Sequence, residues 1–192
     1  MKKILLSLIL CLFAGTSIFS ATFEQACSVM SPESQIKGDF VQKRRIASNG
    51  RSLKSSGIFT VGNGEIVWQT QKPVKNTVTI TKGKITTTDS RGKETVLDSS
   101  QSQVFTLISK MMASLFAGNR EQLQEYFLID FDGSLGDNPA HWKTILTPRD
   151  STIAQAVSRI ILTGNLDYML SMESILANGD SILYEFLNHE KA

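Results

Sequence analysis

The chain has 192 residues, with 20 Lys and Arg against 18 Asp and Glu, a formal charge of +2. That balance lacks the basic excess of a nucleic-acid binder. With 41% apolar and 20% charged residues, the composition is that of a globular protein able to bury a core.

The first residues have the form of a secretory signal. Met1-Lys2-Lys3 is a short basic start, the stretch 4–13 is apolar, and small residues follow at Ala14, Gly15, Ser17, Ser20 and Ala21. The apolar run is too short to anchor in a bilayer. Cleavage is expected near Ser20 or Ala21, which makes 1–20 a signal peptide and 21–192 a single secreted domain. Cys11 is a poor lipidation site, because it lies inside the apolar run and follows Leu10. Loss of Lys2 and Lys3 takes the basic residues to 18, equal to the acidic ones. Only Cys27 then remains, so no internal disulfide can form and burial must hold the fold.

Along the chain, Phe23, Ala26, Cys27 and Met30 share one face of a predicted helix over 22–30. Strands follow at 36–46 and 53–61, with Gly62-Asn63-Gly64 as a hairpin turn. "EIVWQTQ", "VKNTVTIT", "KITTTD" and "KETVLD" extend a meander. The short connections make neighbours antiparallel. From Ser99 the pattern becomes helical: Val104, Leu107, Ile108, Met111, Met112, Leu115 and Phe116 recur at helix spacing up to Gly118-Asn119. "REQLQEY" is a second short helix. Strands resume through "EYFLIDF", "HWKTILTP", "SRIILTG", "LDYMLSMESILA" and "DSILYEFLN", with "RDSTIAQAV" as a loop or short helix. The expected architecture is α+β: one curved antiparallel sheet of about eleven strands with helices packed on one face.

Chemistry-bearing patterns are sparse. "YFLIDFDGSLGDN" has the form of a haloacid-dehalogenase phosphatase motif, with Asp130 as nucleophile, Asp132 as general acid and Mg²⁺ as cofactor. That motif belongs at the start of a parallel α/β domain, and the residues after it read as hairpins. A strand ending in an Asp-Gly turn accounts for it better. Neither His141 nor His189 has ligand-spaced partners, so no metal or other cofactor is expected, and His189 reads as a solvated tail residue. Lys43-Arg44-Arg45 reads as a solvated sheet edge, with docking to anionic lipid or a partner as the functional alternative. The surplus of apolar residues in "SRIILTG", "LDYMLSM" and "DSILYEFL" can serve a core, a dimer contact or a cavity wall.

The order of parts resembles the outer-membrane lipoprotein carrier (LolA) family and its wider superfamily. The matching pieces are a signal peptide, "IKGDFVQKR", "SSGIFTV", "GEIVWQTQKP" and "VTITKGKITTTD", then "SLFAGNREQLQEYFLI", "ILTPRDSTIAQAVSRIIL" and "GDSILYEFLN". The resemblance implies an incomplete, unclosed barrel with a hydrophobic cavity capped by helices. It also implies a non-enzymatic periplasmic carrier of acylated lipoproteins or another envelope lipid. Cargo would pass from an inner-membrane transporter to an outer-membrane acceptor. A monomer without nucleic-acid partners is expected, and a lipid-sensing regulatory domain of the same fold is the alternative. The family's carriers place a basic residue and a proline shortly before the tryptophan, where an arginine helps hold the lid closed. Here that place falls at Gly62, with no proline after it, so the latch does not carry over. By strand face, Phe40, Phe59, Trp68, Val78 and Ile80 are the candidate cavity lining from the sheet. Leu107, Met111, Leu115 and Phe116 are the candidates from the central helix.

Overall fold

The computed structural model describes residues 20–30, 34–81, 83–98, 120–135 and 140–191. Its frame is one sheet of eleven strands, antiparallel throughout. The first six are β1 (Ile36–Arg45), β2 (Ser52–Gly62), β3 (Glu65–Lys72), β4 (Asn76–Thr81), β5 (Lys84–Thr88) and β6 (Glu94–Asp98). The last five are β7 (Phe127–Asp132), β8 (Trp142–Pro148), β9 (Val157–Gly164), β10 (Met169–Leu176) and β11 (Ser181–Lys191). Their order is β6-β5-β4-β3-β2-β1-β11-β10-β9-β8-β7. Two meanders are thus joined by β1 against β11, and β6 and β7 form the two edges of an unclosed sheet.

Local chemistry explains the turns. Asn63 and Gly64 both have positive φ, at 55° and 74°, which a two-residue hairpin of right-handed twist requires. The helix α1 (Phe23–Met30) begins with a reciprocal capping box. The Thr22 N–H donates to Gln25 Oε1 at 2.8 Å, and the Gln25 N–H donates to Thr22 Oγ1 at 3.2 Å. Helix α2 (Arg120–Tyr126) leads directly into β7, and α3 (Ser151–Ala154) sits between β8 and β9, capped by Asp150.

The core lies on the sheet's concave face. Phe23, Ala26, Cys27, Val29 and Met30 of α1 are buried there with Phe127, Trp142, Leu146, Ile160 and Leu162. Burying one large apolar side chain stabilises by roughly 1.5–3 kcal/mol, and the same cluster takes in Ile36, Phe40 and Phe59 of the first six strands, so it ties α1 to both halves of the sheet. Among the first six strands, β4 is half-buried along its whole length.

Two sequence readings change. Lys43-Arg44-Arg45 belongs to β1, a central strand with partners on both sides, and is no sheet edge. Lys43 pairs with Glu185 at 2.9 Å, and Arg44 pairs with the buried Asp180 at 3.3 Å. The strand expected from Glu125 begins at Phe127 instead, because α2 continues through Tyr126.

Candidate functional site

Directly opposed residues of antiparallel strands point to the same face, so the register fixes the concave surface. Ile36 opposes Val61, which opposes Ile66; Phe59 opposes Trp68, which opposes Val78. Phe40 opposes Phe186, and Gln42 opposes Tyr184. The alternation of the sequence therefore gathers its aromatic residues on one side at the middle of the sheet.

These rings pack in sequence. Phe59 meets Phe186 edge-on at 5.1 Å, and Phe186 stacks on Tyr184 at 6.3 Å. Tyr184 in turn lies 5.9 Å from Phe40 and 6.0 Å from Trp68. Burial pushes the Tyr184 phenol above its ordinary pKa. Two glycines allow close approach here, Gly38 to a ring and Gly57 to the backbone of β3. A Cβ on Gly38 would fall 2.9 Å from the Phe59 ring, and one on Gly57 would fall 1.9 Å from the Gln69 carbonyl oxygen.

Where α1 meets this surface there is a small apolar cavity of about 30 Å³ that opens to solvent. Val29 and Met30 of α1 form one side, and Ile36, Phe59, Val61 and Trp68 of the first meander form another. Tyr168, Met169, Phe186 and His189 complete it from the second meander. The cavity thus sits at the β1–β11 seam.

The seam carries a β-bulge. Lys37 pairs with Glu190 and Asp39 with Leu187, so Gly38 faces two residues, Asn188 and His189. Asn188 takes up the extra residue with φ at 50°. The bulge turns His189 into the cavity, which corrects its reading as a solvated tail residue. Its ring stacks on Tyr168 at 4.5 Å and meets the Phe59 edge at 5.8 Å. His189 Nε2 lies 3.1 Å from the Met169 carbonyl oxygen. A carbonyl only accepts, so Nε2 carries the proton. Desolvation holds the His189 pKa below the ordinary value of 6.5, with the Met169 bond opposing it. Tyr168 is itself held by an Asn165 turn, whose side-chain oxygen accepts from the Asp167 and Tyr168 N–H groups at 2.9 and 2.7 Å.

Of the residues expected to line a cavity, Phe59 and Trp68 do so. Phe40 is buried against Tyr184 and does not reach the free space. Val78 and Ile80 lie on the same face further along the sheet, opposite Trp68 and Ile66, outside the cavity wall. Leu107, Met111, Leu115 and Phe116 lie outside the described residues, as does the stretch 1–19. Val61 and Met30 were legible by period, two residues from Phe59 and on the apolar face of α1. Tyr168 and His189 were not, since a turn and a bulge place them.

The Asp130-Asp132 pair stands on β7, in an antiparallel sheet rather than the parallel one its motif needs. Asp130 opposes Ile145, while Asp132 Oδ1 accepts from the Ser134 N–H at 2.9 Å, which closes a turn. Among the described residues, no three His, Cys, Asp or Glu side chains converge as metal ligands.

Against known proteins, residues 23–184 match the family described as "Outer membrane lipoprotein carrier protein LolA-like". No curated protein matches. Among solved structures, the LolA superfamily protein NE2245 of Nitrosomonas europaea is similar at 11% identity and TM-score 0.45, over 92% of each chain. A DUF1329 family protein of Desulfovibrio piger is similar at 10% identity and TM-score 0.46, over 88% of this chain and 90% of that one. An outer membrane lipoprotein-sorting protein domain of Vibrio parahaemolyticus is similar at 10% identity and TM-score 0.35, with the same coverage.

Proposed function

Since this chain belongs to the outer membrane lipoprotein carrier protein LolA-like family, we propose that it is a non-enzymatic carrier sheltering acyl chains in the cavity at the β1–β11 seam. The cargo is an acylated lipoprotein or another envelope lipid. In this reading residues 1–20 are removed on export, the domain over 21–192 works in the periplasm as a monomer, and cargo passes from an inner-membrane transporter to an outer-membrane acceptor. The observation that carries the proposal is the apolar cavity walled by Met30, Phe59, Val61, Trp68 and Phe186. A catalytic pocket needs convergent polar groups; a shelter for hydrocarbon needs apolar shape.

The energetics agree. Burial of an acyl chain gains about 0.8 kcal/mol per CH₂, so a lipidated cargo needs a dry surface while it crosses water. Met30 and Met169 suit such a wall, because the unbranched thioether adapts to irregular hydrocarbon. The test is purification from an expressing cell envelope, followed by mass spectrometry under native conditions. Stoichiometric acyl lipid or lipoprotein on the folded protein is the expected result. A protein that purifies without lipid and fails to take up a fluorescent acyl probe overturns the proposal.

A further inference from the structure

Strand β11 changes its alternation within its last residues. Ile182, Tyr184 and Phe186 face the concave side, opposite Arg44, Gln42 and Phe40. Continued at a period of two, the strand brings Asn188 and then Glu190 over the cavity. The bulge opposite Gly38 shifts the register by one residue, so His189 and Lys191 take those places. Lys191 opposes Ile36, a residue of the cavity wall, and its Nζ lies 5.9 Å from the Tyr168 ring centroid. Glu190 is turned to the other face, where it pairs with Lys37 at 3.2 Å. A one-residue insertion thus exchanges a carboxylate for an ammonium beside an apolar cavity. Among the described residues, no carboxylate pairs with Lys191.

We propose that Lys191 forms a cationic rim on the cavity, and that the occupant is an amphiphile with an anionic head. Its hydrocarbon lies against Phe59, Met30 and Phe186, while its carboxylate or phosphate meets the Lys191 ammonium. His189 commits its Nε2–H to the Met169 carbonyl, and its ring props Tyr168 beneath the lysine. The inference rests on the carrier reading and adds the charge of the cargo's head to it.

Titration of the delipidated protein with four amphiphiles of one chain length tests it: dodecanoate, dodecyl phosphate, dodecanol and dodecyltrimethylammonium. An exposed ion pair is worth up to about 1 kcal/mol, or about fivefold in affinity. The expected result is binding about fivefold tighter for one or both anions than for dodecanol, weaker for the cation, and a preference that fades with salt. Whichever anion leads identifies the head as carboxylate or phosphate. Lys191→Glu should abolish the preference and Lys191→Arg keep it, whereas Glu190→Gln on the opposite face should leave it intact. Equal binding of all four overturns the rim but leaves the carrier standing. Failure of all four overturns the carrier itself. Competition by acetate or inorganic phosphate as strong as by the chain-bearing anions overturns the amphiphile and marks a free-anion site.

Discussion

Asn188 donates a 2.6 Å hydrogen bond from its side-chain amide to Asp39 Oδ2, across the β1–β11 ladder, from a backbone held at φ 50°. This pair pins the bulge that aims His189 into the cavity. Asparagine tolerates the left-handed region, and a β-branched residue does not. Asn188→Val should therefore cost roughly 1–3 kcal/mol of stability. Asn188→Gly keeps the conformation and loses only the exposed bond, so it should cost clearly less. Chemical denaturation of the two variants checks this; equal losses would show that the bulge does not depend on φ at 188.

Gly164 faces Trp142 with no room for a side chain. A Cβ there would lie 2.2 Å from the indole ring, which is fully buried and donates from Nε1 to the Asn165 carbonyl at 2.8 Å. Gly164→Ala must displace either the ring or the turn that carries Tyr168, at about 1–3 kcal/mol. A lower midpoint of urea unfolding and a changed tryptophan emission spectrum are the expected readouts. An unchanged midpoint counts against the tight fit.

The cavity can be closed without disturbing the rest of the sheet. Val61 lines it, while Ile58 lies on the opposite face and is partly exposed. Val61→Phe should weaken binding of an acyl probe by about tenfold or more, which corresponds to about 1.4 kcal/mol. Ile58→Phe should leave binding unchanged. Titration of both variants against a fluorescent fatty acid decides the matter, and equal affinities would place the lipid elsewhere.

The pH dependence has a definite sign. Because desolvation lowers the His189 pKa from 6.5, the unfolded chain binds the proton more readily than the folded one. Stability from this group is complete above pH 6.5 and declines as pH falls from there through the lower folded value. Replacing His189 by Phe keeps an aromatic ring on Tyr168 and removes the proton site. The variant should lose less stability than the wild type between pH 7 and pH 5, as read by thermal unfolding at each pH. An identical slope in both proteins would rule His189 out as its source.

Cys27 is the buried thiol of α1, and burial first, then the Glu24 charge, push its pKa up to about 11. Nucleophilic thiols react as thiolates. At pH 8 Cys27 should resist an aromatic disulfide reagent in the folded protein and react promptly in denaturant, with peptide mapping to locate the label. Rapid labelling of the native protein would contradict its burial.

The sequence by itself determined the strands, their antiparallel pairing and the capped first helix, because each follows from local rules. Period-two alternation, Asn-Gly turns and short connections act within a few residues. Phe59 and Trp68 were legible as wall residues for the same reason, each taking its face from the strand's period. Only the tertiary structure decided which pairs of distant strands meet. Pairing β1 with β11 brings residues about 150 positions apart into one ladder, and no local preference encodes that join. The bulge at Asn188 belongs to this join, since a register shift exists only relative to a partner strand. Hence Phe40, on the correct face, is buried against Tyr184 instead of lining the cavity. His189, by alternation a residue of the outer face, is turned inward. The cavity itself is a product of packing: α1 settles over the seam, and the space left between helix and sheet is a property of neither segment alone.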